Sequence, residues 1–554
     1  MLTDTEARSP SADEPREAGT RHGSLRPVEA AVVAVAVATG LVLRFWTHSH
    51  LWLDEALTVD IARLPLGDIG AALRQDGHPP LYYVLLHGWM DVFGQSDIAV
   101  RALSGVFAVI ALPLGWLAGR RAGGPRAGWA FVVLLSLSPF AIRYGTETRM
   151  YSLLMVLVLA GYLLVRNALE RPSFGRLAGI TLVSGALLFT HYWAMWLLGS
   201  TIVVLAIRAW RHRRSSQALA SDGSSRSSDA FTNDAPASDV VRTTTRVLIA
   251  IVLGGVLFLP WLPSMLSQAA HTGTPWAGVV RPTTMVTESL QDFGGGDFAE
   301  GVLLGWGLLA LFLLGLLAAK RDGYRLELDL RTQPQVRREA AVVGLTLVLA
   351  ALAEYVTGTT FATRYAAVIF PLFLIVAAIG LLQLDMPVVL PIVVATLLVV
   401  GLVGGVHNVV TDRTQAGDVA AAMRPDLQPG DLVVICPDQL GPSMHRLLPA
   451  SISQVVYPTF GSPDRVDWRD YAERNAKADP KAFATEVVSR ASANRAHSVW
   501  LVESGSYETF EGQCEALVGE LGAQLGGGQV VVSENGDRFF EHAGLARFPG
   551  PAAK

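Results

Sequence analysis

Apolar stretches long enough to cross a bilayer recur along the chain near 27–46, 98–119, 127–142, 149–167, 175–191, 192–208, 247–266, 301–319, 339–357, 364–383 and 387–406. They predict about eleven spanning helices. Residues 80–93, PLYYVLLHGWMDVF, are apolar but too short to cross, and His87 and Asp91 interrupt them, so an interfacial helix is expected there. Beyond residue 407 the pattern changes. Residues 430–448 read as a buried strand, a turn and a helix, 496–504 and 528–535 as strands, and 509–525 as a helix between them. The expected architecture is a polytopic α-helical membrane protein spanning 27–406, followed by an α/β domain at 407–554.

Charge orients this scheme. Basic clusters occur at Arg120, Arg121 and Arg126, at Arg166 to Arg176, at Arg208 to Arg214 with Arg242 and Arg246, and from Lys320 to Arg338. If 80–93 does not cross, the positive-inside rule puts all four on the cytoplasmic side with the N-terminus. An odd number of crossings then leaves the C-terminal domain outside the cytoplasm. Residues 1–26 are polar and expected to be disordered, and 27–46 reads as a retained first span rather than a removed signal peptide. The cytoplasmic loop 209–246 contains a Ser-, Ala- and Asp-rich insert, 215–239, also expected to be disordered.

Composition agrees: the chain of 554 residues is 51% hydrophobic and only 17% charged, with a mean hydropathy of +0.38. A net charge of −4 gives no footing for nucleic acid as a partner. Cys436 and Cys514 both fall in the C-terminal part, where they either form a disulfide or remain two buried thiols.

Under this topology the ionisable residues gather on the outer face. The first outer loop, 47–97, carries Asp54, Glu55, Asp60, Asp76 and His78, with Tyr82 close behind. The segment RYGTETRMYS adds Arg143, Glu147, Arg149 and Tyr151, and the next outer turn adds His191. The loop 267–300 supplies His271, Trp276, Arg281 and Glu288, and FATRY places Arg364 and Tyr365 at the start of a late span. Charges at spanning ends are costly unless they face a cavity or a partner. Carboxylates suit a general base or a cation, and arginines suit a phosphate through the guanidinium fork. Aromatics suit sugar faces or a polyprenyl chain. Each residue also has a plain structural reading: Asp54 as the start of a helix, His78 as a turn residue before two prolines, Arg149 and Arg364 snorkelling to headgroups. It is their convergence that suggests a site where a lipid phosphate meets a polar acceptor.

The segments LWLDEALTVDIARL (51–64), DGHPPLYYVLLHGWMDVFGQSDIAVRALS, RYGTETRMYSLL and ATRYAAVIFPL resemble polytopic C-type glycosyltransferases, in particular the bacterial protein-mannosyltransferase-like branch and the lipid A aminoarabinose transferases. The resemblance covers roughly 27–380. It implies transfer of mannose or another cell-envelope sugar from a polyprenyl-phosphate carrier to a hydroxyl of a glycan, lipid or protein, at the outer face of the cell membrane. It makes Asp54 the base, with Glu55 beside it, and puts Glu147 in the cavity. Where the aminoarabinose transferases carry a Glu-Lys-Pro whose Glu helps hold a metal, this chain has His78-Pro79-Pro80. The cofactor expectation is accordingly none, or a divalent metal cation. Inversion needs a base for the acceptor proton, and the leaving phosphate needs cations such as Arg143, Arg149 or Arg364. The competing reading is a transporter or flippase of polyprenyl-linked lipids; it calls for inverted repeats and ionisable groups at the bilayer midplane, and no such repeat is visible.

Overall fold

The computed structural model describes residues 25–551 except 222–236, 274–277, 279, 322–323, 359 and 506. Most of the expected disordered segments, 1–24 and 222–236, lie outside the described residues, as does Trp276.

The chain opens with helix α1 (Pro27–Leu43), then three short helices, α2 (Leu53–Ala62), α3 (Leu66–Asp76) and α4 (Leu81–Phe93). The segment predicted as interfacial is thus helical, and its 13 residues are too few to cross a bilayer. Helices α5 (Asp97–Ser136), α6 (Pro139–Gly145), α7 (Tyr151–Glu170), α8 (Phe174–Thr190) and α9 (Ala194–Ser221) follow. Then come α10 (Ala237–Phe258), α11 (Leu262–His271), α12 (Pro282–Gly294), α13 (Ala299–Leu317), α14 (Arg337–Thr357), α15 (Phe370–Gln383) and α16 (Val389–Val410). Among the described residues seven helices are long and apolar enough to cross a membrane, and three shorter apolar ones, α1, α8 and α15, pack among them. Helix α5 contains two of the predicted stretches, broken where Gly123 leaves helical geometry and Gly124 takes φ 82°. Two expectations change. The loop 209–246 is largely helical in its described parts, because α9 runs to Ser221 and α10 starts at Ala237. The loop 267–300 holds the whole of α12 and the end of α11.

Small residues set the tightest contacts. A Cβ on Gly380 of α15 would meet the Leu311 carbonyl of α13 at 1.8 Å, so glycine is what lets these helices touch backbone to backbone. At one end of the bundle, Arg126 pairs with Asp385 at 2.7 Å, the Lys320 amide donates to Gln383 and Arg166 reaches Glu339 at 3.4 Å. Arg126 and Lys320 thus both reach the C-terminal end of α15, and Arg166 reaches the start of α14, so three of the four basic segments are linked at this end of the bundle.

Strands β1 (Ala318–Lys320) and β2 (Leu326–Leu328) form a small hairpin on this basic end. The C-terminal part is a five-stranded mixed sheet in the order β4-β3-β5-β7-β6, from β3 (Leu432–Cys436), β4 (Ser453–Val456), β5 (Ser498–Glu503), β6 (Gln529–Val532) and β7 (Gly544–Pro549). Every residue of β3 is buried, as a parallel strand covered on both faces requires. Strand β7, unrecognised in sequence, lies antiparallel between β5 and β6. A disulfide joins Cys436, at the end of β3, to Cys514 in the helix Gln513–Leu525, across a Cα–Cα distance of 5.7 Å.

This part packs on the other end of the bundle. Trp52 and Leu53 are buried in its hydrophobic core, and Glu541 accepts a hydrogen bond from the Leu53 amide at 2.5 Å. Arg446 reaches Asp97 at 3.1 Å, and the Trp468 amide donates to the Gln75 carbonyl.

Candidate functional site

The acid pair starts helix α2, where unpaired amides and the helix dipole favour negative charge. The two carboxylates face different surroundings. Glu55 is fully buried and clasped by Arg101, with Nε at 2.7 Å and Nη2 at 2.5 Å, while the Thr148 amide donates at 2.9 Å. The Arg413 guanidinium stands 3.6 Å away. Burial raises the Glu55 carboxyl, but Arg101 and Arg413 overcome this and hold it below its ordinary value. Glu55 therefore ties α2 to α5 and to the loop before α7. It presents no free oxygen toward Asp54's surroundings, so the expected partnership of the two acids in catalysis gives way to an anchoring geometry.

Asp54 is different. Its Oδ2 is buried, has no hydrogen-bond partner among the described residues, and lies 3.7 Å from Arg149 and 3.6 Å from Arg364. Both distances exceed hydrogen-bond reach. Arg149 is held from behind: Nη1 donates to Thr58 Oγ1 at 3.0 Å, and Nη2 donates to His78 Nε2 at 2.9 Å. Because Nε2 accepts, His78 carries its proton on Nδ1 and donates it to Asp76 at 2.8 Å. Asp76 also accepts from Tyr83 at 2.9 Å. Burial raises the Asp76 carboxyl, but His78 beside it brings it below the usual range. A relay Asp76–His78–Arg149 thus fixes one guanidinium beside Asp54, while Arg364 approaches from the segment before α15.

A second acid group lies alongside. Glu147 is buried with neither oxygen hydrogen-bonded among the described residues; Arg413 lies at 3.8 Å and Arg143 at 4.0 Å. Burial pushes its carboxyl up against the pull of both arginines. Arg143 also stands 3.9 Å from Asp292, which accepts from Tyr144 at 3.2 Å.

Aromatic rings complete the wall. Tyr151 packs near His191 at 5.9 Å between centroids, and His191 near Tyr365 at 5.0 Å. The Tyr151 hydroxyl is buried with no hydrogen-bond partner among the described residues. A cavity of about 290 Å³ opens here, lined by His78, His191, Trp193 and Tyr365 among others.

The structure brings Asp54, His78, Arg149, Arg364 and Tyr365 together, with Tyr151, His191, Glu147 and Arg143 adjoining. It sets two candidates apart. Tyr82, expected in the cavity, is buried and donates to Ser104 at 2.7 Å, which in turn donates to the Arg149 carbonyl, so it braces the loop instead. His271 is exposed and pairs with Asp470 at 3.0 Å. Sequence reading missed Arg101, although it ends the motif FGQSDIAVR, and Arg413, whose partners lie far upstream.

The donor set does not suit a divalent cation. His78 has both nitrogens engaged, and the free Asp54 oxygen is flanked by two guanidinium groups. Among the described residues no cluster of three or more His, Cys, Asp or Glu side chains is placed to hold a metal ion.

The family model for dolichyl-phosphate-mannose-protein mannosyltransferases matches residues 77–221. No curated protein matches the chain in sequence. Among solved structures, ArnT from Cupriavidus metallidurans in the apo state aligns with a TM-score of 0.56 at 13% identity, over 94% of this chain and 97% of that one. The same protein bound to undecaprenyl phosphate aligns at 0.55 and 14% identity with the same coverage. The fold is that of a C-type glycosyltransferase like ArnT, and the family model falls within the stretch 27–380 over which the motifs show the resemblance.

Proposed function

We propose that the chain is a membrane glycosyltransferase that moves a sugar from a polyprenyl-phosphate carrier to an acceptor hydroxyl of a glycan, lipid or protein, with inversion and with Asp54 as base. The observation that carries this reading is Oδ2 of Asp54: buried, without a hydrogen bond among the described residues, and held 3.6–3.7 Å from two arginines. The acceptor O–H gives its proton to Asp54 as its oxygen attacks the anomeric carbon. The bond from that carbon to the phosphate oxygen breaks, and the electron pair leaves with the phosphate. Arg149 and Arg364 stabilise the growing phosphate charge, and the carrier arrives already activated, so no nucleotide is consumed. Glu55 positions α2, and Glu147, Arg143, Tyr151 and His191 shape the surrounding cavity.

In this reading the chain crosses the membrane about eleven times, and the site and the C-terminal domain, residues 407–554, face outward. The disulfide supports that side, since such bonds persist outside the reducing cytoplasm. The resident lipids of the cell membrane surround the bundle. The test is transfer from a panel of radiolabelled polyprenyl-phosphate sugars to a membrane extract, with the anomeric configuration of the product read by NMR. Transfer from one donor with inversion supports the reading; carrier binding without transfer from any donor contradicts it and favours a lipid transporter.

A further inference from the structure

One buried acid has no part in the chemistry above. Glu354 lies in the last turn of α14, only 4% exposed, and neither carboxylate oxygen has a hydrogen-bond partner among the described residues. Two penalties attach to this placement. A buried carboxylate without partners loses its hydration uncompensated, and a negative charge at a helix C-terminus opposes the dipole. Nothing within the described protein offsets either.

The missing partner belongs in the cavity. Glu354 lines the same space of about 290 Å³ as His78, His191, Trp193, Trp196 and Tyr365. That space adjoins the arginines. His78 is hydrogen-bonded to Arg149, and Tyr365 follows Arg364 in the chain. A phosphate held by Arg149 and Arg364 therefore puts its attached group among these rings, with Glu354 on the wall. The occupant must offer hydrogen-bond donors to a carboxylate and an apolar face to tryptophan and tyrosine rings. A pyranose or furanose ring does both, through its hydroxyls and its C–H face, whereas the carrier's polyprenyl chain has no donors.

We propose that Glu354 is the residue that recognises the sugar of the donor, accepting hydrogen bonds from two of its hydroxyls and so setting which sugar is transferred. This rests on the transferase reading. A site that hydrogen-bonds a substrate hydroxyl rejects analogues lacking it, because its own polar group is then left unpaired.

The experiment measures binding of a short-chain polyprenyl phosphate, bare or carrying mannose, glucose or arabinose, to the full-length wild type and to Glu354→Gln. The variant keeps the shape of the side chain, and its melting temperature reports folding. The expected result is unchanged affinity for the bare phosphate and a loss of about 10- to 100-fold for the glycosylated carrier that the wild type prefers. Equal affinity of both proteins for that carrier overturns the proposal, as does equal weakening of bare and glycosylated forms, which would make Glu354 a carrier contact. A rise in acceptor KM with donor binding untouched also overturns it. A wild type that binds neither form contradicts the transferase reading itself, and this inference with it.

Discussion

The Asp54 carboxylate and the Arg364 guanidinium face each other at 3.6 Å without a hydrogen bond between them. Each leaves polar atoms unsatisfied among the described residues, Oδ2 on Asp54 and Nε on Arg364. Two opposite charges this close, but not joined, leave room for a substrate group that bonds to both. Arg364→Gln is expected to weaken binding of bare polyprenyl phosphate by about 10- to 100-fold, the range for a charged hydrogen bond, with little change in melting temperature. Arg149→Gln should weaken it similarly but also lower the melting temperature, because it frees Thr58 and His78. Titration calorimetry and thermal melts on the two variants separate these effects.

Glu55 should behave as a structural residue. Removing one partner of a buried ion pair costs about 3–5 kcal/mol, so Glu55→Ala is expected to fold poorly and melt well below the wild type. Replacing the pair together, Glu55→Leu with Arg101→Met, should recover part of that loss. Detergent-solubilised yield and melting temperature check both.

The part of the chain that carries the five-stranded sheet contributes a pH dependence. Glu541, hydrogen-bonded to Thr414 and to the Leu53 amide, is pushed up to about 7 from 4.5 by burial, with Asp54 nearby adding to the rise. A folded value above the unfolded one means the folded state holds the proton more tightly. Stability is then full below about pH 4.5 and is lost as pH rises through 7, by about 3 kcal/mol in all. Melting temperature should fall between pH 5 and 8, and Glu541→Gln should flatten the fall. Asp438, pushed up to about 6 by burial, supplies a residual slope at the lower end of that range. A wild type as stable at pH 8 as at pH 5 contradicts this.

Much of this site could be read from the chain because its residues sit in short motifs at the ends of apolar stretches. Asp54, His78, Arg149 and Arg364 each stood out that way, and the structure gathers them. The separate fates of Asp54 and Glu55 could not be read, since they are adjacent in sequence and what divides them is Arg101, 46 residues away, and Arg413, on a segment after the last span. Tyr82 looked like a cavity residue because aromatic clusters near prolines do not reveal which ring turns inward. Glu354 left a trace: an acid inside the apolar run ALAEYV, where ionisable residues are costly. Strand β7 left almost none, because GLARFP begins with glycine, ends with proline and places Arg547 in a middle strand. Its pairing with β5 and β6 comes from tertiary packing rather than local preference.

If Asp54 takes the acceptor proton, neutralising it must slow transfer without loosening the carrier. Wild type and Asp54→Asn are given the same labelled polyprenyl-phosphate sugar and acceptor extract, with binding of the carrier measured on both. The variant is expected to bind the carrier and melt like the wild type, yet to transfer sugar at least about 100-fold more slowly, as loss of a general base requires. Transfer at the wild-type rate by Asp54→Asn would contradict it.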